Sequence, residues 1–105
     1  MIRVIAFYRW QEGASFNHDY YNSEHMRITK ELLTPHGLVA LESDQYIVAK
    51  PPAVGDVVAA TNAYFPSMEV VKATLAAVGA ALLADVPNYT TIKPEMHFAE
   101  VTSHC

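Results

Sequence analysis

The sequence predicts an α+β chain in which four strands and two helices follow the order βαββαβ, and three observations carry that prediction. Two stretches, "MIRVIAFYRW" at the N-terminus and "VVAATNAYF" at 57–65, keep apolar residues in both alternating phases, the pattern of strands covered on both sides. Two longer segments replace that alternation with helical spacing, each opened by a capping residue and closed by proline or glycine. A final short strand follows Pro94, which puts it near a sheet edge. Elements in this order form the split βαβ, ferredoxin-like arrangement, a four-stranded antiparallel sheet with both helices on one face. At 105 residues the chain is expected to be one domain, 1–105.

In the first strand Ile2, Val4, Ala6, Tyr8 and Trp10 share one phase, with Ile5 and Phe7 in the other. "GAS" breaks the pattern, and Ser15 or Asn17 caps a helix running to about Leu33. Within it Tyr21, His25, Ile28 and Leu32 fall on one stripe at 100° per residue. "TPHG" ends that helix. From Leu38 to Lys50 the middle, Glu42 to Asp44, reads as a bulge or turn, and the tail "QYIVAK" as an edge strand. "PPAVGD" is a loop. Ser67 caps the second helix with Glu69 in its first turn, Val70, Thr74, Ala77 and Ala81 form one face, Gly79 is a possible interruption and "VPN" stops it. In the last strand Met96 and Phe98 oppose His97, Ala99 and Val101.

With helices on one side only, the second apolar phases of strands one and three would face water in a monomer. A second copy packed sheet to sheet buries them and produces a dimeric α+β barrel, a homodimer through the sheet faces, with room between sheets for a small apolar ligand. About half the residues, 51%, are hydrophobic and 17% charged, which excludes intrinsic disorder. A net charge of −4 without a Lys/Arg cluster gives no footprint for nucleic acid. No apolar run is read as approaching the roughly 20 residues of a membrane span, so no membrane partner is expected. Cys105, the single cysteine, excludes an intrachain disulfide and suits the cytoplasm.

The segment "DYYNSEH", an acid, paired tyrosines and a histidine four residues after the second, followed by "LLTPHGL", resembles the first helix of the EthD family. "AYFPSMEVVKATLAAVGAALLADVPNYT" is similar to that family's aromatic–Ser–Glu opening of the second helix and its closing Ala-Asp-Val-Pro-Asn-Tyr-Thr signature. The likeness runs in order through most of the chain. It implies a dimeric α+β barrel from a family named for a protein encoded with a haem monooxygenase system that degrades fuel ethers. Relatives in the wider fold group include muconolactone isomerases, polyketide cyclases, tailoring decarboxylases or dehydratases, and monooxygenases with or without haem.

His25 is the first site candidate. An imidazole in an apolar stripe is explained either by a cavity at which it acts as general base or acid, or by burial against a backbone carbonyl or a tyrosine. The EthD resemblance favours the cavity, because His25 falls in the family motif. Tyr21, one turn earlier, is placed to hydrogen-bond the imidazole or a ligand oxygen, or else anchors the core. Trp10, Tyr46, Tyr64 and Phe65 are candidates to line an aromatic pocket, with core packing as the alternative for each, and His97 is a candidate to face its lumen, with cross-strand packing as the alternative. Asp19 reads as a helix-dipole acid and Asn88 as a turn residue. Five histidines show no HxH or HExxH spacing, so no metal or other cofactor is expected, although one histidine suffices to hold haem. The function expected is cofactor-free proton transfer on a hydrophobic or aromatic oxygenated metabolite, of isomerase, cyclase or decarboxylase type. The alternatives are a non-catalytic binding or accessory protein of an oxygenase pathway and a small monooxygenase.

Overall fold

Strand β1 (Ile2–Arg9) holds the sheet together, pairing antiparallel with β3 (Val57–Phe65) on one side and β4 (Glu95–Glu100) on the other; β2 (Ala40–Gln45) completes the order β2-β3-β1-β4. The computed structural model describes residues 1–105. Its helices are α1, which begins at His18–Tyr20 and ends with Met26–Leu33, and α2 (Met68–Ala84). The expected ferredoxin-like sheet with two helices on one face is what the chain forms.

Register decides which side chains meet the helices. Val4, Ala6 and Tyr8 lie opposite Ala63, Thr61 and Ala59, and all of these turn toward the helices with Met96 and Phe98 of β4. Ile5 and Phe7, in the other phase, lie beside His97 and Glu95 on the face without helices; Ile5 is nonetheless buried by its sheet neighbours and Phe7 half-buried, so this phase faces water less than expected. Two apolar clusters fill the covered side. Val4, Leu33, Ala63, Phe65 and Val71 form one; Tyr8, Tyr21, Ala59, Tyr89 and Ile92 lie in the other. Each large side chain buried there contributes on the order of 1.5–3 kcal/mol. The covered face is nonetheless incomplete at β4, where Met96 and Phe98 stay close to half exposed.

The caps are as the sequence reads them. The Asn17 side chain accepts from the Tyr20 amide at 3.1 Å and Ser67 Oγ from the Val70 amide at 3.3 Å. Gly37 ends the turn Thr34–His36 with φ of 100°, a conformation suited to glycine.

Helix α1 departs from the expected stripe. Tyr21–His25 is a π-helical turn, in which the Met26 amide reaches the Tyr21 carbonyl five residues back. The wider turn holds an extra residue, so the buried line becomes Tyr21, His25, Thr29 and Leu33 instead of continuing through Ile28 and Leu32.

The other differences have equally local causes. Helix α2 buries Val71 and Thr74 and packs Leu75, Val78 and Leu82 on the sheet, because the larger side chains take that side and leave Ala77 and Ala81 outside. It runs through Gly79 without a break. Strand β2 is the acidic middle of its segment: Glu42 and Asp44 accept from Tyr64 Oη at 2.9 Å and Asn62 Nδ2 at 2.8 Å, and these bonds tie the strand to β3. The tail leaves the sheet after the Tyr46 amide bonds the Val58 carbonyl, and Ile47 is fully exposed. The expectation of no bilayer-length stretch also needs correction, since Met68–Asn88, 21 residues, is long and apolar enough by composition to cross a membrane. Here it lies along the sheet instead.

The altered stripe predicts unequal neighbours. Leu33→Ala should destabilise the fold by about 2–5 kcal/mol in urea titration, and Leu32→Ala by less than half as much. Equal costs would contradict the π-turn register.

Candidate functional site

The π turn places His25 in the interior with only 5% of its surface exposed. Its ring stacks over Tyr21, at 5.5 Å between centroids and 16° between planes, and lies 4.6 Å from the Tyr89 ring. Thr29 Oγ1 donates to the His25 carbonyl at 2.7 Å, which gives the carbonyl at the end of the wide turn a partner.

Both ring nitrogens have partners. Nδ1 is 2.8 Å from Asp85 Oδ2, and Nε2 is 3.3 Å from Tyr89 Oη. Asp85 stands at the C-terminal end of α2, where the helix dipole disfavours an acid. It is kept there by donors: the Tyr20 hydroxyl and Asn88 Nδ2 each reach Oδ1 at 2.8 Å. Burial acts to raise its pKa, but hydrogen bonds from Asn88, His25 and Tyr20 outweigh that and hold it below the usual carboxylate value.

An ionised Asp85 can only accept, so His25 Nδ1 carries a hydrogen, and in the neutral imidazole Nε2 is then the nitrogen with the lone pair. The Tyr89 hydroxyl then donates to Nε2 and accepts from Tyr8 Oη, 2.5 Å away. Burial pushes the Tyr8 phenol up to about 12, with Asp85 adding to the shift against the lowering effect of the Tyr89 hydrogen bond. Burial likewise raises Tyr89 and Tyr21. All three are neutral phenols at physiological pH. The result is a continuous chain, Asp85, His25, Tyr89, Tyr8, able to take up or release one proton at the imidazole while the carboxylate stabilises the imidazolium.

This chain borders a cavity of about 260 Å³ between the sheet and α2. His25 and Tyr8 line it, with Thr29 and Thr61 as the other polar residues. Leu33, Phe65, Leu75, Leu82 and Met96 supply much of its apolar wall. Such a volume lies just under the usual range for small-molecule pockets, about 300–1,000 Å³. Nowhere do three or more His, Cys, Asp or Glu side chains converge as metal ligands would.

Among the residues singled out by sequence, the cavity brings together His25 and Phe65. Tyr21 is fully buried behind His25 and bonds Thr61 Oγ1 through its hydroxyl. Tyr64 and His97 belong to the opposite face: Tyr64 donates to Glu42, and His97 packs edge-on against Phe7 at 5.3 Å. Trp10 and Tyr46 line a different cleft. Asp19 is exposed in the first turn of α1. Asn88 secures the turn after α2, as its place in "VPNYT" suggests.

Sequence reasoning left Asp85, Tyr89 and Tyr8 without a site role. One signal was available for Asp85, an acid ending an otherwise apolar helix at its negative pole. The tyrosines carry no local mark of their pairing, being 81 residues apart.

No protein-family model and no curated protein sequence matches the chain. Among solved structures it resembles an EthD-like protein of Ralstonia eutropha JMP134, with 30% identity over 99% of this chain and 94% of that one and a TM-score of 0.83. An ethyl tert-butyl ether (EthD) family protein of Bacillus halodurans C-125 is 17% identical, over 97% and 99% of the two chains, with a TM-score of 0.62. An Arabidopsis thaliana protein is 11% identical, over 100% and 99%, with a TM-score of 0.71. The last two share the fold alone.

The depressed Asp85 titration has a sign that can be measured. Its stabilising contribution is complete above the unfolded value of about 3.9 and is lost as pH falls from there through the lower folded value. Urea titrations of wild type and Asp85→Asn should therefore differ most above about pH 4 and converge on acidification. A gap that widens toward acid would contradict the ionised carboxylate.

Proposed function

The chain belongs to the EthD family, and we propose that it binds a small apolar, oxygenated molecule in the cavity between sheet and helices and transfers a proton to or from it at His25. One observation carries this reading: the imidazole lining an otherwise largely apolar cavity is held by a buried carboxylate on the nitrogen remote from its acceptor site. A base so held needs no reorganisation before it acts.

The 3.3 Å contact between Tyr89 Oη and Nε2 is the longest link in the chain, and it is the link a bound ligand would replace. A proton leaving a ligand carbon adjacent to a carbonyl would pass to Nε2, the electron pair would move to the carbonyl oxygen, and Asp85 would stabilise the imidazolium. Return of the proton to a different carbon completes an isomerisation; attack of the carbanion on a second carbonyl forms a C–C bond and an alkoxide, which takes the proton back from the imidazolium to complete a cyclisation. Both use the same residues without a cofactor.

A binding-only role is the second reading, and one fact favours it: His25 already has a partner on each nitrogen. A second copy of the chain packed against the uncovered sheet face belongs to the same proposal. That face carries the half-buried Phe7, and Arg3, in the same strand phase, has a buried Nε without a hydrogen-bond partner.

A thermal-shift screen of small ketones, lactones and phenols, followed by product analysis of each stabilising compound, tests the activity. His25→Ala should lower turnover by about 10²–10⁴-fold while still being stabilised by the ligand. Binding without conversion by either protein would favour the binding-only role. Sedimentation at micromolar concentration should give twice the 11.6 kDa chain mass; a monomer would contradict the paired sheets.

A further inference from the structure

Trp10 and Tyr46 do not line the His25 cavity, yet they come together in a second cleft of about 560 Å³ where the end of β1 meets the chain leaving β2. Its walls include Trp10, Phe16 and Tyr46. Phe16 is braced from behind by Tyr8, Tyr21 and Tyr89, whose ring centroids lie 5.2, 5.1 and 5.5 Å away, so this wall is continuous with the core. The only charged side chain lining the cleft is Lys50. Against Phe16, at 4.6 Å and 42°, lies the ring of His18, whose Nδ1 is buried and has no hydrogen-bond partner. A buried polar nitrogen left in this condition is destabilising until something binds it. Asp19, the neighbouring acid, is exposed and does not line the cleft. Burial holds the His18 pKa down, opposed by Asp19 and reinforced by Lys50, so the ring is a neutral donor or acceptor at physiological pH.

We propose that this cleft is a second ligand site, independent of His25, that takes a planar aromatic carboxylate: the ring packs on the faces of Trp10 and Tyr46, the carboxylate pairs with Lys50, and the His18 ring, whose Nδ1 is now turned inward, rotates to donate to it. Aromatic walls suit a flat ring. One cation and one unpaired nitrogen at the same cleft suit an anion with two oxygens. A neutral aromatic would fill the walls but leave the lysine unpaired, and a cation would be repelled by it.

Trp10 is the only tryptophan, so its fluorescence reports this cleft directly. Benzoate should quench it saturably, and Lys50→Met should weaken the apparent affinity by about tenfold or more, the loss of one charge-assisted hydrogen bond. Benzamide, the same ring without the charge, should give no saturation over the same range. Quenching that is linear in benzoate, equal affinity in Lys50→Met, or an equal response to benzamide would overturn the site. His25→Ala should leave the benzoate titration unchanged; loss of quenching in that variant with retention in Lys50→Met would assign the ligand to the inner cavity and overturn the proposal.

Discussion

The interaction on which the rest of this site depends is the buried contact between Asp85 and His25. A carboxylate at the C-terminal end of a helix faces the partial negative charge of the helix carbonyls, and burial adds a desolvation cost. Three donors from three parts of the chain offset both: Tyr20 from the first turn of α1, His25 from its π turn and Asn88 from the turn after α2. Removing one partner of a buried charge typically costs about 3–5 kcal/mol, so these contacts fix how the two helices sit against each other. The same contacts fix the imidazole tautomer. Structure and chemistry thus rest on one carboxylate.

From that anchor the arrangement of the cavity follows. The π turn rotates His25 onto the line of Thr29 and Leu33, beneath α2, and α2 touches the sheet mainly through Val71, Thr74 and the larger side chains beyond them. Alanines occupy much of the helix's outer surface, and the helix ends where Asp85 can turn inward. Between the second half of α2 and the strands the packing leaves space, lined by Leu75, Gly79 and Leu82 above and by Val4, Ala6 and Ala63 below. Small residues on the strands, Ala6 and Ala63 among them, are what keep that space open. The aromatic cluster of Tyr8, Phe16, Tyr21 and Tyr89 then separates it from the second cleft.

Much of this was legible in the sequence, for identifiable reasons. The order of elements, the caps at Asn17 and Ser67 and the two phases of β1 are local properties, set by spacing and by residue type. The burial of His25 was legible because an ionisable ring in an apolar stripe needs a cause. What escaped was the effect of adding one residue to a helical turn, which moved the buried line from Ile28 and Leu32 to Thr29 and Leu33. Strand β2 was misread because carboxylates were taken as turn formers, whereas Glu42 and Asp44 are satisfied across the sheet by Tyr64 and Asn62. Partners such as Tyr8 and Tyr89 depend on contacts between residues 81 positions apart, which no local pattern encodes. Trp10, Tyr46, Tyr64 and Phe65 read as candidates for one aromatic pocket, whereas the fold puts Phe65 at the inner cavity, Trp10 and Tyr46 at a separate cleft and Tyr64 on the opposite sheet face.

The central claim is that Asp85 holds the His25 imidazole with its hydrogen on Nδ1 and its lone pair on Nε2. Long-range ¹H–¹⁵N correlation spectroscopy of the uniformly labelled protein at neutral pH reads this directly, with Asp85→Asn to identify the coupled resonance. The account predicts a single His25 signal with a protonated Nδ1 and an unprotonated Nε2, replaced in Asp85→Asn by a mixture of tautomers. A wild-type ring protonated on Nε2, or averaging between both forms, would contradict it.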